Sequence, residues 1–323
     1  MADSVLNQTG GSDVAAADAT APKTRKPRAP AKGRRKTDVI QIGSSSSQQM
    51  GFWPDAVRGV PNVALRGALF SISRERETWK KRKELASVDG YQIIFKGERL
   101  NQRDLDLWEM LLHISRQQPY GKHIEFIASD LLKALGRTTS GDEYSDLKED
   151  IARLRACSVE ILVSGENTFG GGLIQNFYRE EASQRYVIVF DEGIKRLFDT
   201  GITHVDWDHR MKLKDNSLAK WLHGFYSTHA SPLKYKVETI KELCGSTVGR
   251  LADFRAALRK ALDKLKSIGA ITYWDIDPRS DLVTVRRKPS PSQKRHLENK
   301  QAAAANAEFA SSDTGTLPGF DSP

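Results

Sequence analysis

PLKYKVETIKELCGSTVGRLADFRAALRKALDKLKSIGAITYWDIDPRSDLVTVRR, residues 232–287, contains a complete supersecondary unit in order. PLKYKV reads as a short strand. ETIKELCG reads as a short helix that Gly245 terminates, because glycine accepts the left-handed backbone that follows a helix. STVG is a turn. RLADFRAALRKALDKLKSIG is a long helix, with Leu251, Phe254, Leu258, Leu262 and Leu265 spaced three and four apart along one face. AITYWDI and LVTVRR then form a hairpin around DPRSD. An amphipathic helix precedes the unit, carrying Leu218, Trp221, Leu222, Phe225 and Tyr226. Helix, strand, helix, turn, helix and hairpin is the order of a winged helix-turn-helix.

The same order stands once before, so that residues 101–190 and 204–287 are two copies of one architecture. LDLWEMLLHISRQ follows Leu100 and Asn101, with Leu105, Trp108, Leu111, Leu112 and Ile114 mostly on one face. HIEFI (123–127) is a strand, ASDLLKALG a short helix ended by Gly136, and RTTSG the turn. DEYSDLKEDIARLRA carries Tyr144, Leu147, Ile151 and Leu154 at helical spacing. VEILV (159–163) and YVIVF (186–190) are read as the hairpin strands, with GENTFGGGL and IQNFY as a long wing between them and GIKRLF (193–198) closing the domain. The expected fold is α+β: two tandem winged helix-turn-helix domains with disordered N- and C-terminal tails. The expected boundaries are a basic arm over 1–50, an N-terminal segment and exposed connector over 51–87, domain 1 over 88–199, domain 2 over 200–288 and a mobile tail over 289–323.

The 323 residues carry 50 Lys+Arg against 41 Asp+Glu, a formal charge of +9, which favours an anionic partner. Residues 23–36, KTRKPRAPAKGRRK, hold eight of these cations and too few apolar groups to fold, so they would add phosphate contacts from a disordered arm. There are two cysteines, Cys157 and Cys244, and neither lies in a CxxC or a zinc-spaced cluster. Both are expected reduced and half-buried in a cytoplasmic protein. No signal-peptide core or long apolar run is present, so no membrane partner is expected.

The long helix of the second module holds six Lys or Arg against two Asp over 249–267. At 100° per residue, Asp253, Ala256, Lys260 and Lys264 oppose the apolar stripe, flanked by Arg250 and Arg259. Arginine suits the guanine edge in a major groove, and a helix N-terminus with Ser246 and Thr247 suits a phosphate. Arg286 and Arg287, with Lys288, end the hairpin where a wing meets the DNA backbone. The equivalent helix of the first module has five acidic residues and three basic ones over 142–156. That module is therefore expected to touch DNA lightly, through Arg137, Thr138, Ser140 and Lys148, or to serve protein contacts.

Chemistry-bearing patterns have plainer readings. HVDWDH (204–209) would place His204, Asp206 and Asp208 on one strand face, but no further ligand is near, and a structural strand is expected rather than a metal site. Cys244 and Arg250 have C-x5-R spacing and Trp53-Pro54-Asp55 spells WPD, as in tyrosine phosphatases. Leu243 precedes the cysteine instead of His, Thr247 replaces a loop glycine, and the WPD lies far upstream of it. Walker A, GxSxG and His-x-His patterns are absent. No catalytic residue and no cofactor is expected.

Three features carry a family resemblance: WPD-x2-R-x2-PN-x3-R-x-ALF (53–70), LCGS (243–246) before the basic helix, and the two-module order. From about Trp53 to Arg287 the chain resembles the TrfA family of plasmid replication initiators. The resemblance implies tandem winged helices that bind direct repeats (iterons) in double-stranded plasmid origin DNA. It implies opening of an adjacent A·T-rich stretch, with single-stranded contacts there, and recruitment of the host initiator, replicative helicase and sliding clamp. It also implies a homodimer in equilibrium with an active monomer, in the bacterial cytoplasm. Carried onto this sequence, the DNA-contacting positions are Ser246, Thr247, Arg250, Arg255 and Arg259. The family's QLSLF-type clamp peptide would stand just before the WPD, where this chain reads SSSSQQMGFW, with Gln49, Met50 and Phe52 as a degenerate version. The alternative to an initiator is a tandem winged-helix transcriptional regulator or autorepressor; a cysteine phosphatase is a remote one.

Overall fold

In a computed structural model, residues 53–116, 123–199 and 201–312 are described. The basic arm, the Gln49–Met50–Phe52 segment and the end of the tail lie outside them.

The chain starts with β1 (Val57–Pro61), α1 (Asn62–Leu65), β2 (Thr78–Leu85) and β3 (Tyr91–Glu98). The first module follows as α2 (Gln102–Ser115), β4 (His123–Ile127), α3 (Ala128–Ala134), α4 (Gly141–Ala156), β5 (Ser158–Val163), β6 (Glu166–Gly171), β7 (Asn176–Glu180), β8 (Arg185–Val189) and α5 (Ile194–Asp199). β9 (Ile202–Asp206) and α6 (Trp207–Lys212) come next, then the second module as α7 (Ser217–Ser227), β10 (Tyr235–Lys236), α8 (Val237–Leu243), α9 (Leu251–Ser267), β11 (Tyr273–Ile276) and β12 (Leu282–Arg286), with α10 (Pro291–Ser312) last.

The duplication is visible in the sheets. The first module pairs its strands in the order β4-β8-β7, the second in the order β10-β12-β11. In each, the strand before the helix-turn-helix pairs with the last strand of the hairpin. The short helices also end alike. Gly136 and Gly245 take φ of +66° and +62°, and the next residue's N–H reaches back five positions, from Arg137 to Leu132 O at 2.9 Å and from Ser246 to Lys241 O at 3.0 Å. This is the glycine-marked helix stop that both turns need. Asn101 caps α2, accepting from the Arg103 N–H at 3.0 Å while the Asp104 carboxylate accepts from the Asn101 N–H at 2.8 Å, a reciprocal capping box.

Three expectations give way. VEILV is not the partner of YVIVF: β5 pairs with β3 and with β6, inside a four-stranded sheet of order β2-β3-β5-β6. The wing of the first module is the shorter β7–β8 hairpin, and β5–β6 is an insertion between reading helix and wing. The expected connector 74–85 is largely a strand, β2. The tail after Pro289 begins as a helix whose start is tied down: the Gln293 side chain donates to Ser227 O at 2.8 Å and accepts from Arg287 at 2.8 Å.

Two cores form. The first runs from Trp53 through Trp108 and Ile188 to Val205 and Trp207; the second starts at Leu213 and centres on Trp221, Phe225, Phe254 and Leu258. Because β9 pairs with β1, residues 202–207 belong to the first body, later than the boundary at 200. The two bodies meet through a buried ion cluster. Arg210, with none of its side chain exposed, donates to Asp106 at 2.7 Å and lies 3.0 Å from Glu109. Lys220 also reaches Asp106, at 2.6 Å. Burial pushes the Glu109 carboxyl up to about 7.

Candidate nucleic-acid interface

Helix α9 buries Phe254, Leu258, Ala261, Leu262 and Leu265 and leaves the opposite face open. On that face Asp253, Arg259, Lys260 and Lys264 are exposed, with the small Ala252 and Ala256 among them. Arg250 occupies the N-cap without using its side chain as a cap. Its guanidinium stands 81% exposed, 3.8 Å from Asp253, so it is free to swing toward an anion. In the turn, Thr247 and Val248 are exposed, and Ser246 accepts from the Val248 N–H at 3.3 Å. A Cβ at Gly249 would meet nothing within 4 Å, so the backbone there is open to close approach. A cationic helix face, an uncapped N-terminus and an open turn therefore coincide.

Two expected residues of this module are otherwise engaged. Arg255 donates through Nε and Nη2 to both oxygens of Asp281, at 2.9 Å each, and so straps α9 to the wing turn. Arg287 is half-buried, donating to His229 O at 3.2 Å as well as to Gln293. Arg286 is exposed, its guanidinium 5.2 Å over the Tyr273 ring.

In the first module the acidic helix is not a bare anion. Asp150 on α4, 3% exposed, accepts from Arg103 at 3.0 Å, Arg137 at 3.1 Å and Arg153 at 2.9 Å. Glu143 takes Arg103 at 3.0 Å and Arg137 at 2.6 Å. Arg137 is thus directed inward to these carboxylates, with its side chain 11% exposed. Thr138, Ser140 and Lys148 are exposed, with Ser140 capping α4 through the Glu143 N–H. Asp142 and Glu149 are the exposed acids of α4 without a carboxylate–cation pair among the described residues, so its outer face stays unfavourable to phosphate.

The sequence reading missed Arg74. Residues 72–75 line a cleft with Ser246, Thr247 and Val248, which sets this exposed arginine beside the turn of the second module, its Nη2 donating to Asp215 O at 3.2 Å. The cation run SRER after the ALF motif was its only signal.

The other candidate chemistries dissolve on geometry. Cys244 is fully buried, and burial pushes its thiol up to about 12, the reverse of an activated nucleophile. Asp55 is ion-paired with Arg116. HVDWDH breaks at Asp206, which ends β9 and caps α6 by accepting the His209 N–H at 2.8 Å, while Asp208 pairs with Lys212 at 2.6 Å. Among the described residues no group of three or more His, Cys, Asp or Glu could hold a metal ion, and no helix is long and apolar enough to cross a membrane.

Residues 9–287 match the family model described as TrfA protein. The chain belongs to the TrfA family. The plasmid replication initiator protein TrfA of Escherichia coli is 27% identical over 245 residues, which cover 73% of this chain and 63% of that relative. The chain thus aligns with less than two thirds of that relative's length. Among solved structures, domains 2 and 3 of RctB share the fold at a TM-score of 0.50 and 12% identity, over 72% of this chain and 99% of that one. A weaker likeness, TM-score 0.41 at 14% identity, covers 57% of this chain and 93% of the Pi initiator protein crystallised with iteron DNA.

The 53–70 motif and the residues just after it bridge the two modules. Trp53 is fully buried, its Nε1 donating to His113 Nδ1 at 3.0 Å, and a Cβ at Gly59 would lie 2.7 Å from its ring. Burial, then Arg58 and Arg116, hold the His113 imidazole down to about 4, so it stays a neutral acceptor. Further along, Ile72 N–H donates to Cys244 O at 3.0 Å, and the Trp221 indole donates to Gly67 O at 3.1 Å. The 53–70 motif is a strap from the first winged helix to Trp221 of the second, and the residues that follow it, at Ile72, meet LCGS.

Proposed function

We propose that this chain is a plasmid replication initiator that binds direct repeats at a plasmid origin. The exposed cationic face of α9, in a chain whose family match spans both modules, is the observation that carries it. In this reading α9 lies in a major groove, with Arg259, Lys260, Lys264 and Arg250 toward bases and phosphates. Ser246 and Thr247 meet a phosphate at the helix N-terminus, and Arg286 meets the backbone from the wing. Thr138, Ser140 and Lys148 of the first module add backbone contacts. Opening of an adjacent A·T-rich stretch and recruitment of host initiator, helicase and clamp belong to the same reading, as does a dimer that yields monomers.

Footprinting of the full chain on its native plasmid tests this. Protection of direct repeats spaced by about two helical turns is expected. Protection confined to an inverted repeat at a promoter would instead make the chain a regulator.

A further inference from the structure

Strand β2 is an edge of the sheet β2-β3-β5-β6, and it is interrupted. It pairs with β3 at Trp79↔Gly97 and resumes at Lys83↔Phe95. Lys80, Lys81 and Arg82 therefore stand opposite the single residue Lys96, in a bulge that leaves the ladder. Bulges of this kind bend the strand and re-aim its side chains. All of Lys80, Lys81, Arg82, Lys83 and Lys96 are exposed. Arg82 is ion-paired with Glu160. Lys83 is held with its ammonium 4.1 Å over the Trp79 ring, which itself packs edge-on against Phe95. Lys80, Lys81 and Lys96 have no carboxylate partner among the described residues. The nearby Glu84 is turned to Gln92, accepting at 3.0 Å. The result is five cations around one bulge with one ion-paired carboxylate between them.

We propose that this bulge is a second DNA-backbone contact, seating phosphates of the same duplex that α9 reads, beyond the bases that α9 touches. The proposal rests on the reading of the chain as an origin-binding protein, and reach supports it. Residues 72–75 line the cleft beside Ser246–Val248. From Arg74 to Arg82 is eight residues, at most about 28 Å of chain even when extended. One turn of duplex is about 34 Å, so the bulge and the reading helix fall within one turn of each other's reach. Lysines on an edge strand also serve to keep sheets from pairing edge to edge. Here the bulge already breaks the edge, and the cations extend onto β3 at Lys96, where no edge needs protection.

The test is a salt titration of DNA binding by fluorescence anisotropy, using the full chain and its K80Q/K81Q/K96Q variant. Two duplexes of equal length are used, one with the native origin repeats and one scrambled. The variant should lose affinity for both duplexes by the same factor, about fivefold at 0.15 M salt for each phosphate contact removed. Its slope of log affinity against log salt should flatten by about 0.9 for each contact. The preference for the repeats should stay as in the parent. An unchanged slope on both duplexes overturns the proposal, and if the variant then self-associates in light scattering, edge protection is the role instead. A loss confined to single-stranded A·T-rich oligonucleotides overturns the duplex assignment. If the parent chain shows no preference for the repeats, the origin-binding reading fails, while the slope on the scrambled duplex still decides the bulge.

Discussion

Arg99 reaches across from the end of β3 to the helix stop of the second module and donates from Nη2 to the carbonyl of Gly245. Gly245 needs its positive φ of +62° to end α8, and it also needs its missing side chain, because a Cβ there would lie 2.9 Å from Arg99 Nη2 and 2.9 Å from the Ser71 Cβ. One residue thus satisfies both a turn and a docking surface. Gly245→Ala should cost about 1–3 kcal/mol, from left-handed strain and the crowded strap together. Urea unfolding measures it. Gly249→Ala, in open space a turn later, is the control and should be close to neutral.

Charge on α9 divides into readers and braces. Arg259→Ala should weaken binding to the cognate repeat by about 1–3 kcal/mol and relax preference against a scrambled duplex. Arg255→Ala should leave that preference intact, since Arg255 is spent on Asp281 in the wing turn. Competition binding with both duplexes separates the two. Equal loss of preference in both variants would show that the Arg255–Asp281 strap opens on DNA.

How much of this was legible varied with the range of the interaction. The second module was readable almost element by element, because its punctuation is local: Gly245 stops α8, Leu251 to Leu265 mark one face of α9, and DPRSD turns the hairpin. The partner of β5 was not, because it lies about 65 residues upstream in β3 and nothing near VEILV points to it. Strand β2 was hidden since TWKKRKEL lacks apolar alternation, as befits an edge. The ion pairs of Arg137 and Arg255 could not be read, because neither turn position nor helical spacing names the carboxylate that engages an arginine: Glu143 and Asp150 for Arg137, and Asp281, 26 positions on, for Arg255. In α10, Pro291 sits at the first helical position, where proline is accepted.

Both cysteines should be inert in the folded chain. Burial pushes the Cys157 thiol up to about 11 and Cys244 to about 12, and each donates to a helix carbonyl, Leu154 O and Lys241 O at 3.3 Å. Alkylation with iodoacetamide at pH 8, followed by intact-mass measurement, should add nothing to the native protein and two labels in denaturant. Rapid native labelling of Cys244 would mean that the strap between Ser71 and the LCGS turn opens in solution.

His223 makes the interface between the modules sensitive to acid. It lies on α7, 5% exposed, with the imidazole edge-on to His209 at 6.1 Å and Nδ1 without a hydrogen-bond partner among the described residues. Burial first, then the nearby Arg210, hold its pKa down to about 3. In the unfolded chain it titrates near 6.5. Between those values the unfolded state binds the extra proton and the folded state does not, so stability falls as pH drops below about 6.5. At pH 5 this single group should remove about 2 kcal/mol relative to pH 7.5. His223→Phe keeps an aromatic ring of similar size and abolishes the titration, so its loss of stability between those pH values should be smaller by that amount. Urea unfolding of both proteins at each pH gives the double difference, and the same loss in both would place the acid sensitivity at another group.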